Sequence, residues 1–255
     1  MEERLRDTRE SGRKLLITYV TGGLGADWTV ALEAMVAAGA DLVEIGIPFS
    51  DPVMDGPTIQ EASVRALECG ATPASILDQV ASLNIGVPLV AMTYYNLVYR
   101  AGHHRFAEML AAGGVRGAII PDLPLEESGE WEKDAAASGV ASVLLAAPVT
   151  PDDRLDEICA RSHGFVYGVN LMGVTGERAS LAGSAAVLAR RLKERTDKPV
   201  VMGFGISTPE QALESAREAD GVVVASALMR LLLDGGGPAA VGEAVGAFRA
   251  ALDGA

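Results

Sequence analysis

The strongest constraint on the fold is a repeat, in which short apolar segments rich in β-branched residues alternate with segments of helical spacing. The first is Leu15–Val20, which is followed by a glycine-rich turn and by Ala31, Met35 and Ala38 at helical intervals. Eight such units in 255 residues predict a (β/α)8 (TIM) barrel, with residues 1–255 in a single domain. An open, doubly wound sheet is the alternative, but the glycine-rich dinucleotide motif expected after its first strand is missing. The predicted strands are 15–20, 42–47, 88–93, 117–120, 141–146, 164–167, 198–202 and 221–224.

The net charge of −13 argues against nucleic acid and anionic membranes as partners. It does not exclude a small phosphorylated substrate, because backbone N–H groups at helix N-termini bind phosphate without Lys or Arg. The charged segment 2–14 lacks the apolar region of a signal peptide, and no later apolar run reaches transmembrane length. We therefore expect a cytoplasmic protein. Cys69 and Cys159 lack metal-ligand or redox spacing, so both are expected to be reduced core residues.

The stretch 41–60 joins a buried strand to a loop rich in acidic residues. Glu44 lies in the middle of the apolar strand, where a carboxylate costs several kcal/mol unless it is paired or neutralised. Prolines and a glycine then force a loop that carries Asp51 and Asp55. A strand-end Glu with a raised pKa facing a more solvated, ionised Asp would suit general acid–base chemistry. The alternative is that Glu44 pairs with a buried Arg and that Asp51 or Asp55 only caps a turn.

Barrel active sites lie at the carboxyl ends of the strands, and unusual polar residues collect at these positions here. The Tyr94–Tyr95 pair could line an aromatic pocket there, or could simply be packing. The residues at the predicted strand ends are Tyr19, Glu44, Tyr94, Asp122, Tyr167, Gly203 and Ser226.

The loops after strands six, seven and eight have the composition of a phosphate site. They contain Gly-Val-Thr-Gly (173–176), Gly-Phe-Gly (203–205) and Ala225-Ser226. Barrels commonly bind phosphate here, against loop N–H groups and a helix N-terminus. Each glycine pair alone could serve an ordinary tight turn; the placement in three successive loops favours phosphate.

Other chemistries lack their residues. His103 and His104 are adjacent and project differently, and His163 precedes a strand, so we expect no metal site. There is no Gly-x-Ser-x-Gly elbow for a nucleophile. Lys198 is at the start of a strand, which is the stability face, so a Schiff-base aldolase mechanism has no lysine.

Four motifs resemble the tryptophan synthase α subunit family, in order and over nearly the whole chain. The longest is Glu-Ile-Gly-Ile-Pro-Phe-Ser-Asp-Pro-Val-Met-Asp-Gly-Pro-Thr-Ile-Gln (44–60), and the others are Pro-Asp-Leu-Pro-Leu-Glu-Glu-Ser (121–128), Gly-Val-Thr-Gly (173–176) and Gly-Phe-Gly-Ile-Ser (203–207). The resemblance implies a (β/α)8 barrel that cleaves indole-3-glycerol phosphate to indole and glyceraldehyde 3-phosphate by a retro-aldol reaction, late in tryptophan biosynthesis.

The resemblance also implies roles for individual residues. Glu44 falls on the catalytic Glu and Asp55 on the catalytic Asp, and Thr175 falls on a Thr of a mobile loop that meets this Asp. Tyr167 falls on the family's active-site Tyr, and Tyr19, Tyr94 and Ile119 are expected beside the substrate. The implied phosphate-binding residues are Gly176, Phe204, Gly205, Ala225 and Ser226.

Three features depart from the family pattern, one of which is a first loop, residues 22–27, that is shorter than in some members. Ala225 stands where glycine is more common, which puts a methyl group near the phosphate, and Leu171-Met172 replaces a polar pair before the third motif.

The family's usual partner is a pyridoxal-phosphate β subunit in an α2β2 heterotetramer, so no cofactor is expected in this chain. Pro48, Asp51 and Asn96 match positions near that interface. Two alternatives remain: a stand-alone lyase that releases free indole, and a weakly catalytic regulatory subunit of a β-type partner.

Overall fold

The computed structural model describes residues 1–169, 178–203 and 205–254, and its strands are parallel and curl into a barrel. Every residue of the first strand is buried, which explains why these segments are continuously apolar. The strands are β1 (Leu15–Thr21), β2 (Leu42–Gly46), β3 (Leu89–Met92), β4 (Gly117–Ile119), β5 (Ala141–Val143), β6 (Leu145–Ala146), β7 (Val166–Val169), β8 (Val200–Gly203) and β9 (Gly221–Val224).

The barrel closes through the segment that contains β5 and β6. The strands are ordered β5-β4-β3-β2-β1-β9-β8-β7-β6. β5 pairs with β4, β6 pairs with β7, and only Leu144 separates β5 from β6. The predicted strand 141–146 is therefore two short pieces, and the chain that joins them closes the ring. The structure confirms the predicted (β/α)8 barrel.

Helices surround the strands of the described residues. Two of them were not predicted: the first contains one fully buried side chain, Leu5, and so shows no apolar periodicity, and the fifth is a short helix directly after β3. The helices are α1 (Glu2–Glu10), α2 (Trp28–Ala37), α3 (Pro57–Glu68), α4 (Pro73–Ala81), α5 (Tyr95–Ala101), α6 (His103–Ala112), α7 (Gly129–Ala137), α8 (Asp152–Arg161), α9 (Arg178–Lys193), α10 (Pro209–Ala216), α11 (Ser226–Leu233) and α12 (Gly237–Asp253).

Alternate residues of each strand face opposite sides of the barrel wall. On β2, Val43 and Ile45 pack outward in the large cluster beneath the helices, whereas Leu42 belongs to the inner cluster, which also contains Leu5 of α1. The same alternation turns Glu44 inward, so this residue faces the inside of the barrel.

Two expectations about the chain's surroundings can be compared with the structure. No helix among the described residues is long and apolar enough to cross a bilayer. Cys159 is buried as expected, but the prediction that Cys69 is a core residue is wrong, because Cys69 follows the last residue of α3 and is exposed.

Candidate active site

Glu44 is a carboxylic acid buried inside the barrel. It is 4% exposed, and its Oε2 atom has no hydrogen-bond partner among the described residues. Burial, and to a smaller extent the nearby carboxylate of Asp55, raises the pKa of Glu44 to about 8. Glu44 is therefore mostly protonated at neutral pH and can donate a proton. The alternative of a buried Arg partner finds no support in the described contacts, because no ion pair to Glu44 is present there.

Asp55 is held in the loop between β2 and α3. Its N–H donates to the carbonyl of Pro52 (3.0 Å), and its own carbonyl accepts from Nε2 of Gln60 on α3 (2.9 Å). Burial raises the pKa of Asp55 to about 6, although the Tyr94 hydroxyl, which donates to Oδ2 at 3.0 Å, acts in the opposite direction. The sequence predicted a solvated, ordinary Asp; the structure instead places it in a partly buried setting. The two carboxyl groups still differ, since Asp55 ionises before Glu44.

A cavity of about 430 Å³ opens beside both carboxyl groups at the carboxyl ends of the strands. Its walls are mainly apolar, which suits an aromatic ring, and its polar groups are few. The apolar part includes Met92, Ile119, Leu145, Val169 and Val223, and the polar part includes Tyr19, Glu44, Asp55, Tyr167 and Ser226.

Two tyrosines reach into this cavity, and glycines on the neighbouring strands make room for them. Tyr19 of β1 is in register with Glu44, and a Cβ atom on Gly46 would lie 1.8 Å from the Tyr19 hydroxyl. Tyr167 of β7 crosses the backbone of Gly203 in the same way, with 2.4 Å between an added Cβ and the hydroxyl. Burial raises the pKa of both phenols, so both stay protonated and can donate hydrogen bonds.

Another part of the cavity wall is formed by the start of α11 and by the loop after β8. Gly205, Ile206, Ala225 and Ser226 line it, and none of the described lining residues is Lys or Arg. Gly205 has φ +77°, a conformation that favours glycine. Ala225 has φ −120°, outside the left-handed region that favours glycine, so this position does not require a glycine for its φ angle. The first N–H groups of a helix lack intrahelical acceptors and attract anions.

The structure thus brings eight of the predicted site residues to one cavity: Tyr19, Glu44, Asp55, Ile119, Tyr167, Gly205, Ala225 and Ser226. Tyr94 is not among the residues that line it; it lies behind Asp55 and is 2% exposed. Asp122, at a predicted strand end, accepts from the N–H of Tyr95 (2.8 Å) and so fixes the start of α5. The predicted residues Thr175, Gly176 and Phe204, and the Leu171-Met172 pair, lie outside the described residues.

Sequence reasoning missed several residues of this cavity. One of them is Val169, which lies two positions after Tyr167, on the same face of β7. The two-residue period of a strand could have found it.

No group of three or more His, Cys, Asp or Glu side chains that could hold a metal ion occurs in the described part of the chain. One of the histidines is engaged elsewhere: Nε2 of His103 is 3.0 Å from the Tyr95 hydroxyl.

Comparison with known proteins identifies the family. The sequence model of the tryptophan synthase alpha chain matches residues 5–244. The chain belongs to the tryptophan synthase alpha chain family. The tryptophan synthase alpha chain of Streptomyces avermitilis is 43% identical over 99% of this chain and 92% of its own length. That of Chloroflexus aggregans is 48% identical over 87% of this chain and 85% of its own length.

Solved structures of tryptophan synthase chains have the same fold. Tryptophan synthase subunit alpha from Legionella pneumophila superposes with a TM-score of 0.91 at 30% identity, covering 99% of this chain and 98% of that one. A chain of Mycobacterium tuberculosis tryptophan synthase superposes with a TM-score of 0.90 at 36% identity, covering 98% and 96%. The family resemblance expected from the four sequence motifs is confirmed.

Proposed function

We propose that this chain cleaves indole-3-glycerol phosphate to indole and glyceraldehyde 3-phosphate, the alpha reaction of tryptophan synthase, as a carbon–carbon lyase. The observation that supports it best is Glu44, a buried carboxylic acid whose Oε2 atom has no hydrogen-bond partner among the described residues and which shares one apolar cavity with Asp55. A retro-aldol cleavage at the indole ring needs a proton donor and a proton acceptor at a site that excludes water.

Glu44 serves as donor and then as acceptor. In its protonated form it gives a proton to C3 of the indole ring, which converts the ring to a cation with the positive charge centred near nitrogen. The resulting carboxylate takes the proton of the glycerol hydroxyl as the bond between C3 and the glycerol carbon breaks, and the electrons of that bond restore the aromatic ring. Glu44 ends protonated, as it began, so one residue completes the cycle.

Asp55 stabilises the cation. Its carboxylate accepts a hydrogen bond from the indole N–H, and this bond strengthens as positive charge develops on the ring. Asp55 must be ionised for this role, and its pKa of about 6 leaves it ionised at neutral pH while Glu44 is still protonated. The apolar wall around Met92, Ile119 and Leu145 receives the indole ring.

The phosphate of the substrate binds at another part of the cavity wall. The start of α11, at Ala225 and Ser226, and the turn at Gly205 offer N–H groups and the positive end of a helix dipole. The resemblance adds Gly176 and Phe204 to this site and Thr175 to the closing loop.

The chain acts as the α subunit of an α2β2 complex in the cytoplasm. It needs no cofactor of its own, since pyridoxal phosphate belongs to the β subunit that receives the indole. In support, the loop that carries Asp55 presents Val53 (78% exposed) and Met54 (51% exposed) to solvent, next to Pro48 and Asp51, which match interface positions of the family.

The test is indole production from indole-3-glycerol phosphate by the purified chain, with and without a tryptophan synthase β subunit. Weak activity that rises strongly with the partner is expected. High activity without the partner would identify a stand-alone lyase, and no activity under either condition would contradict the proposal. The Glu44→Gln variant, prepared in parallel, controls for a contaminating lyase.

A further inference from the structure

Tyr94 differs from the other predicted site residues because its hydroxyl contacts a catalytic residue without lining the cavity. It accepts from the backbone N–H of Met54 at 3.0 Å and donates to Oδ2 of Asp55 at 3.0 Å. Its ring stacks on Phe49 of the same loop, with centroids 5.2 Å apart and planes 22° from parallel. One buried side chain therefore contacts the loop 48–56 at three places.

The rest of this loop is bonded mostly to itself. The N–H groups of Val53 and Asp55 donate to loop carbonyls, and Gln60, at the start of the following helix, reaches back to the carbonyl of Asp55. Among the described residues, the hydrogen bonds that join residues 48–56 to the barrel outside β2 and α3 are those of the Tyr94 hydroxyl. Val53 and Met54 are exposed, so packing there adds little.

Tyr94 is itself fixed in position. It follows β3, immediately before α5, and the first N–H of that helix donates to Oδ1 of Asp122 at 2.8 Å. Tyr94 is 2% exposed, so its side chain is enclosed by its neighbours. A buried hydroxyl in this position can hold the Asp55 carboxylate at one place and favour its ionised form.

We propose that Tyr94 is a positioning residue of the lyase site, whose hydroxyl holds the Asp55 carboxylate and the backbone of Met54 in the arrangement needed for the indole N–H. This inference rests on the proposed function for the identity of the ligand of Asp55. The hydrogen bond from Tyr94 to Asp55 is present in the structure whatever the ligand of Asp55 is.

The charged and titratable groups around Asp55 make the Tyr94 hydroxyl important for keeping Asp55 ionised. The other groups that face Asp55 or Tyr94 either repel a negative charge or are neutral, and no Lys or Arg lines the described cavity. Without the Tyr94 hydroxyl, the pKa of Asp55 would move towards that of Glu44, and the two carboxyl groups would differ less in protonation at neutral pH. The groups that face Asp55 or Tyr94 are Glu44 of β2, Tyr19 of β1, Tyr167 of β7 and Asp122 after β4.

The test compares Tyr94→Phe with Tyr95→Phe. The first variant keeps the ring and its stacking on Phe49 and removes only the hydroxyl. The second removes a hydroxyl from the adjacent residue, where it is bonded to His103 and not to the loop. Both variants should fold, which thermal unfolding can check.

The first readout is the pKa of Asp55 in the substrate-free protein, measured by carboxyl ¹³C NMR and assigned with Asp55→Asn. We expect Tyr94→Phe to raise this pKa by about one pH unit, because a hydrogen bond to a charged group is lost, and Tyr95→Phe to leave it unchanged. The amide of Met54 should exchange about tenfold faster in Tyr94→Phe. A pKa of Asp55 equal to the parent's in Tyr94→Phe, or shifted equally by both variants, would overturn the proposal.

The second readout is the pH dependence of kcat/KM for indole formation. The acid limb should move to higher pH in Tyr94→Phe by the same amount as the pKa of Asp55, with the activity near its optimum reduced only several-fold. A purely structural role would lower stability without moving this limb, and that result would also overturn the proposal. If the parent chain forms no indole, the proposed function fails, while the NMR titration still decides whether Tyr94 controls Asp55.

Discussion

Two buried carboxyl groups lie three residues apart at β2, and they differ in their hydrogen-bond partners. Asp41, just before β2, is 7% exposed, and Glu44, within β2, is 4% exposed. Asp41 accepts from the N–H of Leu16 (2.8 Å), from Nη1 of Arg13 (2.8 Å) and from Nη1 of Arg249 (3.1 Å). Glu44 has an oxygen with no partner among the described residues.

The difference assigns a structural role to Asp41 and a functional role to Glu44, only three residues away. Burial raises the pKa of Asp41 as well, but the N–H of Leu16 and the two guanidinium groups oppose this rise without cancelling it. For Glu44 nothing opposes it, and its pKa rises to about 8. The amino end of the barrel satisfies its buried charge, whereas the carboxyl end leaves an acid free to react with a ligand.

The largest effect is expected for Glu44→Gln. Cleavage should fall by at least about 10³-fold, because the proton donor is lost. The variant should nevertheless be the more stable protein at high pH. The parent's folded state binds an extra proton between pH 4.5 and about 8, so its stability falls as pH rises through that window, and the variant escapes this loss.

We compare the free energy of unfolding of the variant with that of the parent at each pH. This difference should be more favourable to the variant above pH 8 than below pH 4.5, by at most about 5 kcal/mol. Urea unfolding of both proteins at about pH 5 and about pH 9 measures it. Equal changes in the two proteins would show that Glu44 titrates normally.

Asp41→Asn should have the opposite outcome, with lower stability and intact chemistry. Removing one charge from a buried, hydrogen-bonded pair leaves the buried Arg249 with only the half-exposed Asp253 as its acidic partner, and a loss of about 3 kcal/mol is expected in urea unfolding. The kcat/KM of the folded protein should match the parent's. The control is Asp253→Asn, whose carboxylate pairs with the same arginine but is half exposed, and which should cost less than about 1 kcal/mol. Comparable losses in the two variants would contradict the structural role of Asp41.

Gly46→Ala tests how tightly the catalytic end is packed. The new methyl carbon would lie 1.8 Å from the Tyr19 hydroxyl, so Tyr19 must move into the cavity. We expect a loss of about 1–3 kcal/mol in the free energy of unfolding and a raised KM for the substrate. Gly86→Ala, where an added Cβ meets nothing within 4 Å, is the matched control and should change neither quantity. Wild-type KM in Gly46→Ala would show that Tyr19 is not held beside the substrate.

The smallest effect is the pH profile of the unmodified chain. Because Asp55 must be ionised and Glu44 protonated, kcat/KM should be bell-shaped, with limbs near pH 6 and pH 8 that belong to the coupled pair. Below the lower limb the indole N–H loses its acceptor, and above the upper limb C3 loses its donor. In Asp55→Asn the acid limb should disappear from the residual activity. Activity that keeps rising above the upper limb would contradict the role of Glu44 as proton donor.

The barrel could be predicted from the sequence because each strand can be recognised within its own short segment. Each strand is a short apolar run, so seven of the eight predicted strands match single strands of the structure, and the eighth, 141–146, divides at Leu144. The cost of burying a carboxylate was also readable from the sequence, and it pointed to Glu44.

The interactions that distinguish Glu44 from Asp41 are not local. The Arg partner that sequence reasoning offered to Glu44 belongs instead to Asp41, and Arg249 lies 208 residues along the chain. The hydrogen bond from Tyr94 to Asp55 joins residues that are 39 positions apart. The sequence therefore did not indicate this contact, and the Tyr94–Tyr95 pair was interpreted as a possible wall of a pocket. Such pairings depend on how the barrel closes, which no single segment encodes. α1 was missed because Leu5 is its one buried residue, which leaves no helical pattern of apolar residues to detect.

The most direct test of this account is the protonation state of Glu44 in the substrate-free protein. Infrared difference spectra between the parent and Glu44→Gln, recorded over a pH series, isolate the carbonyl band of the protonated carboxyl group. The account predicts that this band is present at neutral pH and disappears with a midpoint near pH 8. A midpoint near the ordinary value of 4.5 would mean that Glu44 is ionised at neutral pH, and Glu44 could then not be the proton donor.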